Sequence, residues 1–203
     1  LRVLAADLDP QANLTTMFLD EDGLESLWPT GLPARTILGP LLPLLEGAGA
    51  ISEPQVEEIS PDLGLLAGDL GLSRFEDELS QQWPSCLDGK TRAFRVIGAF
   101  HQILTRAAQL RAADLVLIDV GPSVGAINRA ALIAADYVAI PLAPDLFSIK
   151  GLQNVGPRLQ EWRSGWAERL AKRPAGLDLP QGRMEPLGYV VMQHAVRLDR
   201  PVK

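Results

Sequence analysis

The 203 residues are enough for one sizeable α/β domain, and 47% of them are hydrophobic against 22% charged, as in an ordinary globular chain. No apolar run is long enough to span a membrane, and no basic segment followed by an apolar one marks a secretory signal. One cysteine, Cys86, and two histidines argue against a disulfide framework and against a His/Cys zinc site. We therefore expect a cytoplasmic protein.

The net charge of −6 is distributed unevenly along the chain. Residues 1–149 carry nine Lys and Arg against 20 Asp and Glu, a net charge of −11, whereas residues 150–203 carry ten against five, a net charge of +5. This asymmetry has two interpretations. The last quarter either faces a polyanion or contains a helix with a solvated basic face, and the second is the simpler.

The first predicted element is a buried strand over residues 2–8, an apolar run that ends in a carboxylate. The apolar segment 34–45 favours a helix, which Pro40 and Pro43 are expected to interrupt. Residues 63–67 read as a short strand.

Two helices are predicted next, over Leu72–Trp83 and over Thr91–Ala112, and the second is the longest helix expected in the chain. His101 falls within the apolar stripe of the second helix, which indicates a partly buried packing residue rather than a ligand. A continuous apolar run over Leu115–Asp119 predicts a strand that again ends in a carboxylate.

The remaining pattern also alternates helix and strand. A helix is expected through Ala130–Ala135, a strand over Tyr137–Pro141, a helix over Phe147–Leu170 that breaks near Gly156-Pro157, and a last strand over Gly188–Met192. This alternation predicts an α/β fold with a doubly wound, mainly parallel sheet and helices on both faces.

Both ends of the sequence look interior to a longer protein. Leu1 stands inside an apolar run, and the final residues 200–203 follow an apolar strand without a stop signal. We therefore expect a fold that is truncated at both ends.

Carboxylates mark the ends of two predicted strands, where a parallel sheet binds its ligands. Asp7 and Asp9 follow the first strand, and Asp119 ends another strand ahead of the turn Gly121-Pro122-Ser123. Such carboxylates suit a hydrated Mg²⁺ and the phosphates that it carries, or they position an attacking water. For any one of them, capping of the next helix is an equally good explanation.

Several segments resemble the ParA/Soj partition ATPases, relatives of MinD. Residues 7–15, Asp-Leu-Asp-Pro-Gln-Ala-Asn-Leu-Thr, resemble that family's Asp-x-Asp-Pro-Gln-Gly-Asn-Ala-Thr segment. Residues 114–123 resemble its second acidic strand and switch, which usually ends Asp-Cys-Pro-Pro-Ser. Three further blocks follow in the family's order, at residues 128–136, at residues 140–152 and at residues 188–192 with Arg197. Residues 20–113 match only loosely.

The resemblance implies roles for the acidic residues and the switch. Asp9 would orient or activate the water that attacks the γ-phosphate, and Asp7 would lie near the metal or stabilise the switch. Asp119 would hold Mg²⁺ through water. Gly121, followed by Pro122, would present a backbone N–H near the γ-phosphate.

The resemblance also implies a site for the nucleotide base. Pro144 with the loop through Phe147, and the residues around Met192 and Gln193, would flank that base. The implied cofactors are ATP and Mg²⁺.

The sequence departs from the family at three places. Gly121 stands where the first proline of a Pro-Pro pair is usual, which predicts a looser switch, and Lys150 stands where Glu is usual. The phosphate-binding loop, Lys-Gly-Gly-Val-Gly-Lys-Thr in the family, is not found in these residues. We therefore expect residues 1–203 to be a single but incomplete ParA-like nucleotide-binding domain. Its P-loop would lie upstream and a C-terminal part would also be missing, so these residues alone are expected to be inactive.

The function implied by the resemblance is an ATP-hydrolysing partition protein that positions a plasmid, a chromosome or a protein complex. It would form a homodimer when ATP is bound, respond to a ParB-like stimulator and bind DNA without sequence preference. A nucleotide-gated binding module with little hydrolysis is the main alternative, and a metabolic ligase or reductase on the same fold is a third. The candidate DNA surface is a basic cluster beside Trp162 and Trp166, for which helix packing is the simpler explanation. The cluster consists of Arg158, Arg163, Arg169, Lys172 and Arg173.

Overall fold

The computed structural model describes residues 1–29, 34–143, 146–192, 196–197 and 200–201, and it describes side chains only up to residue 143 and over residues 155–192. In this part of the chain the strands are β1 (Val3–Asp7), β2 (Glu57–Ser60), β3 (Leu63–Leu66), β4 (Leu115–Asp119), β5 (Tyr137–Leu142), β6 (Glu185–Val191), β7 (Val196–Arg197) and β8 (Arg200–Pro201). The α-helices are α1 (Asn13–Phe18), α2 (Glu21–Ser26), α3 (Leu38–Leu45), α4 (Ser73–Ser85), α5 (Thr91–Ile97), α6 (Ala99–Arg111), α7 (Ala126–Ala134) and α8 (Leu146–Leu170). None of the helices described is both long enough and apolar enough to cross a membrane.

The predicted α/β architecture with a mainly parallel sheet is confirmed. A four-stranded sheet has the order β2-β3-β1-β4, in which β1 is parallel to both β3 and β4, and β2 runs antiparallel to β3 at the edge. Strands β5 and β6 form a second, parallel pair, and β7 and β8 form a short antiparallel pair. The carboxyl ends of β1 and β4 therefore meet at one edge of the main sheet.

Helices α4 to α7 and the described half of α8 enclose one hydrophobic core against β1, β3 and β5. Aromatic side chains fill its centre, where Phe75, Phe94, Phe100 and Trp166 are almost completely buried. Phe75 and Phe100 meet edge to face with their ring centroids 5.5 Å apart, a geometry that favours aromatic pairs. Within this core α4 packs against α7, and α6 packs against α7, β1 and β4.

One face and one edge of the main sheet are open in the described chain. Within it, β4 pairs only with β1 and β5 pairs only with β6. Leu115 and Leu117 on β4 keep 43% and 54% of their surface exposed, and an apolar groove of about 620 Å³ runs along this face beside Met17 and Phe18. Strands of a parallel sheet are normally covered on both faces. The exposed leucines and the apolar groove give this face the residue types that such a sheet normally buries.

Three predicted helices differ in detail from the structure. The single helix expected over Thr91–Ala112 is two helices, α5 and α6, that join at Gly98. Helix α8 runs through Pro157 without the expected break, and both Pro157 and Gly156 are exposed to solvent there. Helix α3 is shorter than the segment that favoured it and keeps Pro43 inside.

Candidate functional site

The parallel pairing of β1 with β4 brings the predicted carboxylates to one place. Asp7 and Asp119 are register partners at the ends of these strands, and Leu8 N–H donates to Asp119 O at 2.9 Å, which extends the pairing by one residue. Asp9 follows two residues later. The three acidic residues predicted from strand ends are therefore neighbours in the fold, as their positions in the sequence indicated.

Asp7 is fully buried, and both of its carboxylate oxygens accept hydrogen bonds from the chain that follows. Oδ2 accepts from the backbone N–H and from the Oγ1 hydroxyl of Thr15, both at 2.8 Å, and Oδ1 accepts from Asp9 N–H at 3.2 Å. Thr15 Oγ1 in turn accepts from Gly68 N–H at 2.7 Å. This arrangement suits Asp7 to holding the loop between β1 and α1 in place.

A glycine is required beside Asp7. A Cβ atom at Gly68 would lie 2.8 Å from the carboxylate carbon of Asp7 and 3.0 Å from Cβ of Ala12. Since the Asp7 carboxylate is held by hydrogen bonds and Cβ of Ala12 cannot rotate away, residue 68 must be glycine for the chain after β3 to pass this close to the loop.

Asp9 is half-buried and is aimed at Gly121. Its Oδ1 accepts from Gln11 N–H at 3.0 Å, and the same oxygen would lie 3.0 Å from a Cβ atom at residue 121. Glycine at 121 thus lets the backbone of the loop approach the Asp9 carboxylate closely. This contact places the two residues that the family resemblance assigns to the γ-phosphate side by side.

Asp119 differs from its two neighbours because its side chain reaches solvent. Partial burial raises the pKa of Asp119, the charges of Asp7 and Asp9 raise it further, and a hydrogen bond from Val120 N–H opposes them. A nearby cation would stabilise the ionised form of Asp119, which these surroundings disfavour.

The donor set fits a magnesium ion that keeps most of its water. Among the described residues, no group of three or more His, Cys, Asp or Glu is arranged to enclose a metal ion. Asp7 already uses both of its carboxylate oxygens, which leaves Asp119 as the carboxylate best placed to accept from metal-bound water. Magnesium is commonly held through one or two carboxylates with substrate phosphates rather than in a cage of protein ligands.

The loop after β4 is fixed by two side chains that the sequence patterns did not single out. Asn128 Nδ2 on α7 donates to the carbonyl oxygens of Gly121 and Ser123 at 2.5 and 2.6 Å. The Glu76 carboxylate on α4 accepts from the backbone N–H groups of Ala126 and Ile127 at 2.5 and 2.7 Å. Asn128 lies in a block that resembles the family, but Glu76 lies in the loosely matched region and had no signal in the sequence.

The residues expected around the nucleotide base are only partly described. Met192 follows β6 and is half exposed, and its N–H donates to Leu142 O at 2.7 Å, which places it at the carboxyl end of the β5–β6 pair. Pro144 and Gln193 lie outside the described residues. Phe147 lies in α8, and its side chain is also outside them. Pro122 is exposed in the loop after β4.

The basic cluster of the last quarter is divided by the structure. Arg169 is 7% exposed and lies over the Trp83 ring at 3.8 Å, donating to Trp83 O and Gly165 O, so it is not available to a polyanion. The indole rings of Trp162 and Trp166 are buried, as helix packing predicts. The other members of the cluster are exposed, and Arg158 among them pairs with Glu161 at 2.8 Å.

Cys86 and His101, which the sequence analysis also considered, both lie at least partly inside the protein. Cys86 is buried, and this burial raises the pKa of its thiol to about 12, so it stays protonated at neutral pH. His101 is partly buried as predicted. Burial lowers the pKa of His101, and the carboxylates of Asp178 and Asp136 oppose the change.

Known proteins resemble this chain over most of its length. A family of AAA domains matches residues 1–171. The chromosome partitioning protein ParA of Caulobacter vibrioides is 28% identical over 169 residues, which is 83% of this chain and 55% of that protein.

Two solved structures are similar over most of the chain. Protein DIP2308 of Corynebacterium diphtheriae is 32% identical with a TM-score of 0.76, over 84% of this chain and 58% of that one. Cobyrinic acid a,c-diamide synthase of Mycobacterium smegmatis, with bound ADP and magnesium, shares the fold at 21% identity and a TM-score of 0.61, over 94% of this chain and 61% of that one.

The fold and these likenesses define an α/β domain of the P-loop NTPase type. The chain belongs to the ParA/Soj-type partition ATPases within the AAA-domain family. It spans about half the length of the curated relatives that it matches, between 46% and 55%.

Proposed function

We propose that this chain forms the acidic and switch half of an ATP-hydrolysing partition protein. The observation that carries the proposal is the meeting of Asp9, Asp119 and Gly121 at the carboxyl ends of β1 and β4. In this proposal Asp9 orients the water that attacks the γ-phosphate, and Asp119 accepts hydrogen bonds from water around Mg²⁺. Asp7 holds the loop between them through Thr15. When bound, the metal neutralises phosphate charge.

The open side of the sheet supports a further part of the proposal, that a P-loop strand and helix complete the domain from outside residues 1–203. A parallel strand between β4 and β5 would pair two strands that each lack a partner on one side in the described chain. A helix after it would cover the apolar groove beside Leu117. Such a helix would begin near the strand ends, where its N-terminal N–H groups favour phosphate.

The partners proposed for the complete protein follow from the family. They are a second copy of the protein when ATP is bound, a ParB-like stimulator and DNA bound without sequence preference, and the cargo is a plasmid, a chromosome or a protein complex. A nucleotide-gated module with little hydrolysis is the second candidate. The position of Asp9 against Gly121 favours hydrolysis, because a module that only binds nucleotide does not need a carboxylate there.

The test is steady-state hydrolysis and MgATP binding by the full-length protein. We expect Asp9→Ala to lower kcat on the order of 10²-fold with little change in the Kd for ATP, because the carboxylate acts mainly in the transition state. Asp119→Ala should instead weaken the Mg²⁺-dependent part of nucleotide binding. Asp22→Ala, at an exposed position in α2, is the matched control and should change neither quantity.

Two results would contradict the proposal. Equal losses of binding and turnover in Asp9→Ala would assign Asp9 to a structural cap. Unchanged turnover in the same variant would favour the nucleotide-gated module.

A further inference from the structure

Helix α7 begins directly after the Gly121 loop, yet its N-cap residue supplies no side-chain cap. Its N-cap residue is Gly125, and no side chain near it in sequence accepts from the first turn. The first N–H groups of a helix need acceptors, and a carboxylate at that end also gains from the helix dipole. In this protein the acceptor is Glu76, 50 residues earlier on α4, with both carboxylate oxygens engaged.

Gly125 is the residue that permits this contact. A Cβ atom at residue 125 would lie 2.5 Å from Oε1 of Glu76, closer than real Cβ atoms approach other atoms. The φ angle of residue 125 is −77°, so the backbone conformation itself does not call for glycine. A larger residue at position 125 would therefore require the end of the Glu76 side chain to move from its present place.

The other end of the loop is held from α7. Asn128 is 5% exposed, and its side-chain amide donates to two carbonyl groups of the loop, those of Gly121 and Ser123. Gly121 is also the residue in close contact with Asp9. The loop is thus held at Gly121 by Asn128 and at its junction with α7 by Glu76.

We propose that Glu76 and Asn128 are positioning residues that set the distance between Gly121 and Asp9. The inference rests on the proposed function, since it assigns them to the loop expected to meet the γ-phosphate. The hydrogen bonds of both side chains go to the backbone of the loop and of α7. Glu76 on α4 fixes the start of α7, and Asn128 on α7 holds the Gly121 carbonyl by a hydrogen bond. The position of the loop therefore depends on the position of α4.

The experiment compares Glu76→Gln with Glu78→Gln in the full-length protein. Both substitutions remove one negative charge from the same helix, but Glu78 pairs with Arg92 at 2.8 Å and does not contact the loop. Hydrogen exchange of the backbone amides of residues 120–127 is measured without nucleotide, together with kcat and the KM for ATP. Exchange by Ala126 and Ile127 reports the cap directly and does not depend on hydrolysis.

We expect exchange at Ala126 and Ile127 to accelerate about tenfold in Glu76→Gln, because hydrogen bonds to a carboxylate are stronger than those to a neutral amide. Exchange in β4 should be unchanged. The kcat should fall about tenfold with the KM for ATP within about twofold, the pattern of an interaction needed in the transition state. Asn128→Ala should lower kcat in the same way while Ala126 and Ile127 keep most of their protection.

Other outcomes would overturn the inference. Unchanged amide exchange in Glu76→Gln would show that the Glu76 carboxylate does not hold the loop. Equal changes in exchange and kcat in Glu78→Gln would show that only the negative charge of α4 matters, not the contact of Glu76 with α7. If the wild-type protein binds ATP without hydrolysing it, the proposed function fails, while the exchange measurement still decides whether Glu76 holds the loop.

Discussion

The three carboxylates at the strand ends have different surroundings. Asp7 is buried and hydrogen-bonded to its own loop, Asp9 is half-buried against Gly121, and Asp119 reaches solvent. A buried carboxylate is tolerated only when its oxygens are satisfied, which for Asp7 depends on Thr15. Three carboxylates that meet at one edge of the sheet therefore have different surroundings, and in the proposed function Asp7 holds the loop while Asp9 and Asp119 face the ligand.

At the residue scale, Thr15→Val should lower the stability of the full-length protein by about 2 kcal/mol. The substitution keeps the side-chain shape but removes the hydroxyl that donates to Asp7 and accepts from Gly68, and hydrogen bonds to charged groups contribute about 1.5–3 kcal/mol. Urea denaturation is the measurement.

Thr16→Val is the matched control, since the neighbouring hydroxyl is exposed and donates only to Asn13 O. Thr15→Ser keeps the hydroxyl and should recover most of the loss. A Thr15→Val protein as stable as Thr16→Val would mean that Asp7 does not depend on this hydroxyl.

At the element scale, Trp83 on α4 connects three helices. Its ring lies under the guanidinium of Arg129 on α7 at 4.3 Å and that of Arg169 on α8 at 3.8 Å, and it stacks on Trp166 with centroids 6.1 Å apart. Burial lowers the pKa of both arginines, and the charge of Arg169 lowers the pKa of Arg129 further. Among the described residues Arg169 forms no ion pair, and the Trp83 ring face and two carbonyl oxygens contact its guanidinium.

We expect Trp83→Leu to destabilise the protein by about 3 kcal/mol, because it removes buried aromatic surface and two cation–π contacts. Trp83→Phe keeps a ring face for both guanidinium groups and should recover more than half of that loss. Thermal unfolding of the three proteins is the measurement. Equal losses in the two variants would assign the effect to volume rather than to the ring face.

Sequence patterns located most elements, and the misses have physical causes. The strand endings at Asp7 and Asp119 were predictable because apolar runs end there in acidic residues. The break at Gly98 was not predicted, and a contact that involves this glycine is remote in sequence: Leu179, 81 positions away, packs so close that its Cδ2 would lie 2.9 Å from a Cβ at residue 98. The role of Glu76 was hidden for the same reason. A solvated acidic residue in a helix and a remote helix cap look the same in one sequence.

At the scale of the whole molecule, the uneven distribution of charge led to the hypothesis that the last quarter of the chain binds DNA. The structure reduces the number of basic residues that are available for that contact. Lys172 and Arg173 are exposed after α8, whereas Arg169 is buried against the Trp83 ring. A partition protein that binds DNA through this end would use the exposed pair and not Arg169.

If the ATP-bound full-length protein binds DNA here, the double variant Lys172→Ala/Arg173→Ala should bind it more weakly. The dependence of log affinity on log salt should become shallower by about 1.8, because each lost phosphate contact contributes about 0.9. The control is Arg74→Ala/Arg95→Ala, which removes two exposed positive charges from the acidic part of the chain. The same slope in both double variants would place the DNA surface elsewhere.

The contact between Glu76 and Gly125 also has a consequence for evolution. A side chain at residue 125 would displace the carboxylate, and without the carboxylate nothing requires glycine at that position. The two residues are 49 positions apart in sequence but are in contact in the fold. The effect of a substitution at one therefore depends on the residue present at the other. Among relatives of this protein, loss of one should accompany loss of the other, and α7 should then begin with a local Ser, Thr, Asp or Asn cap.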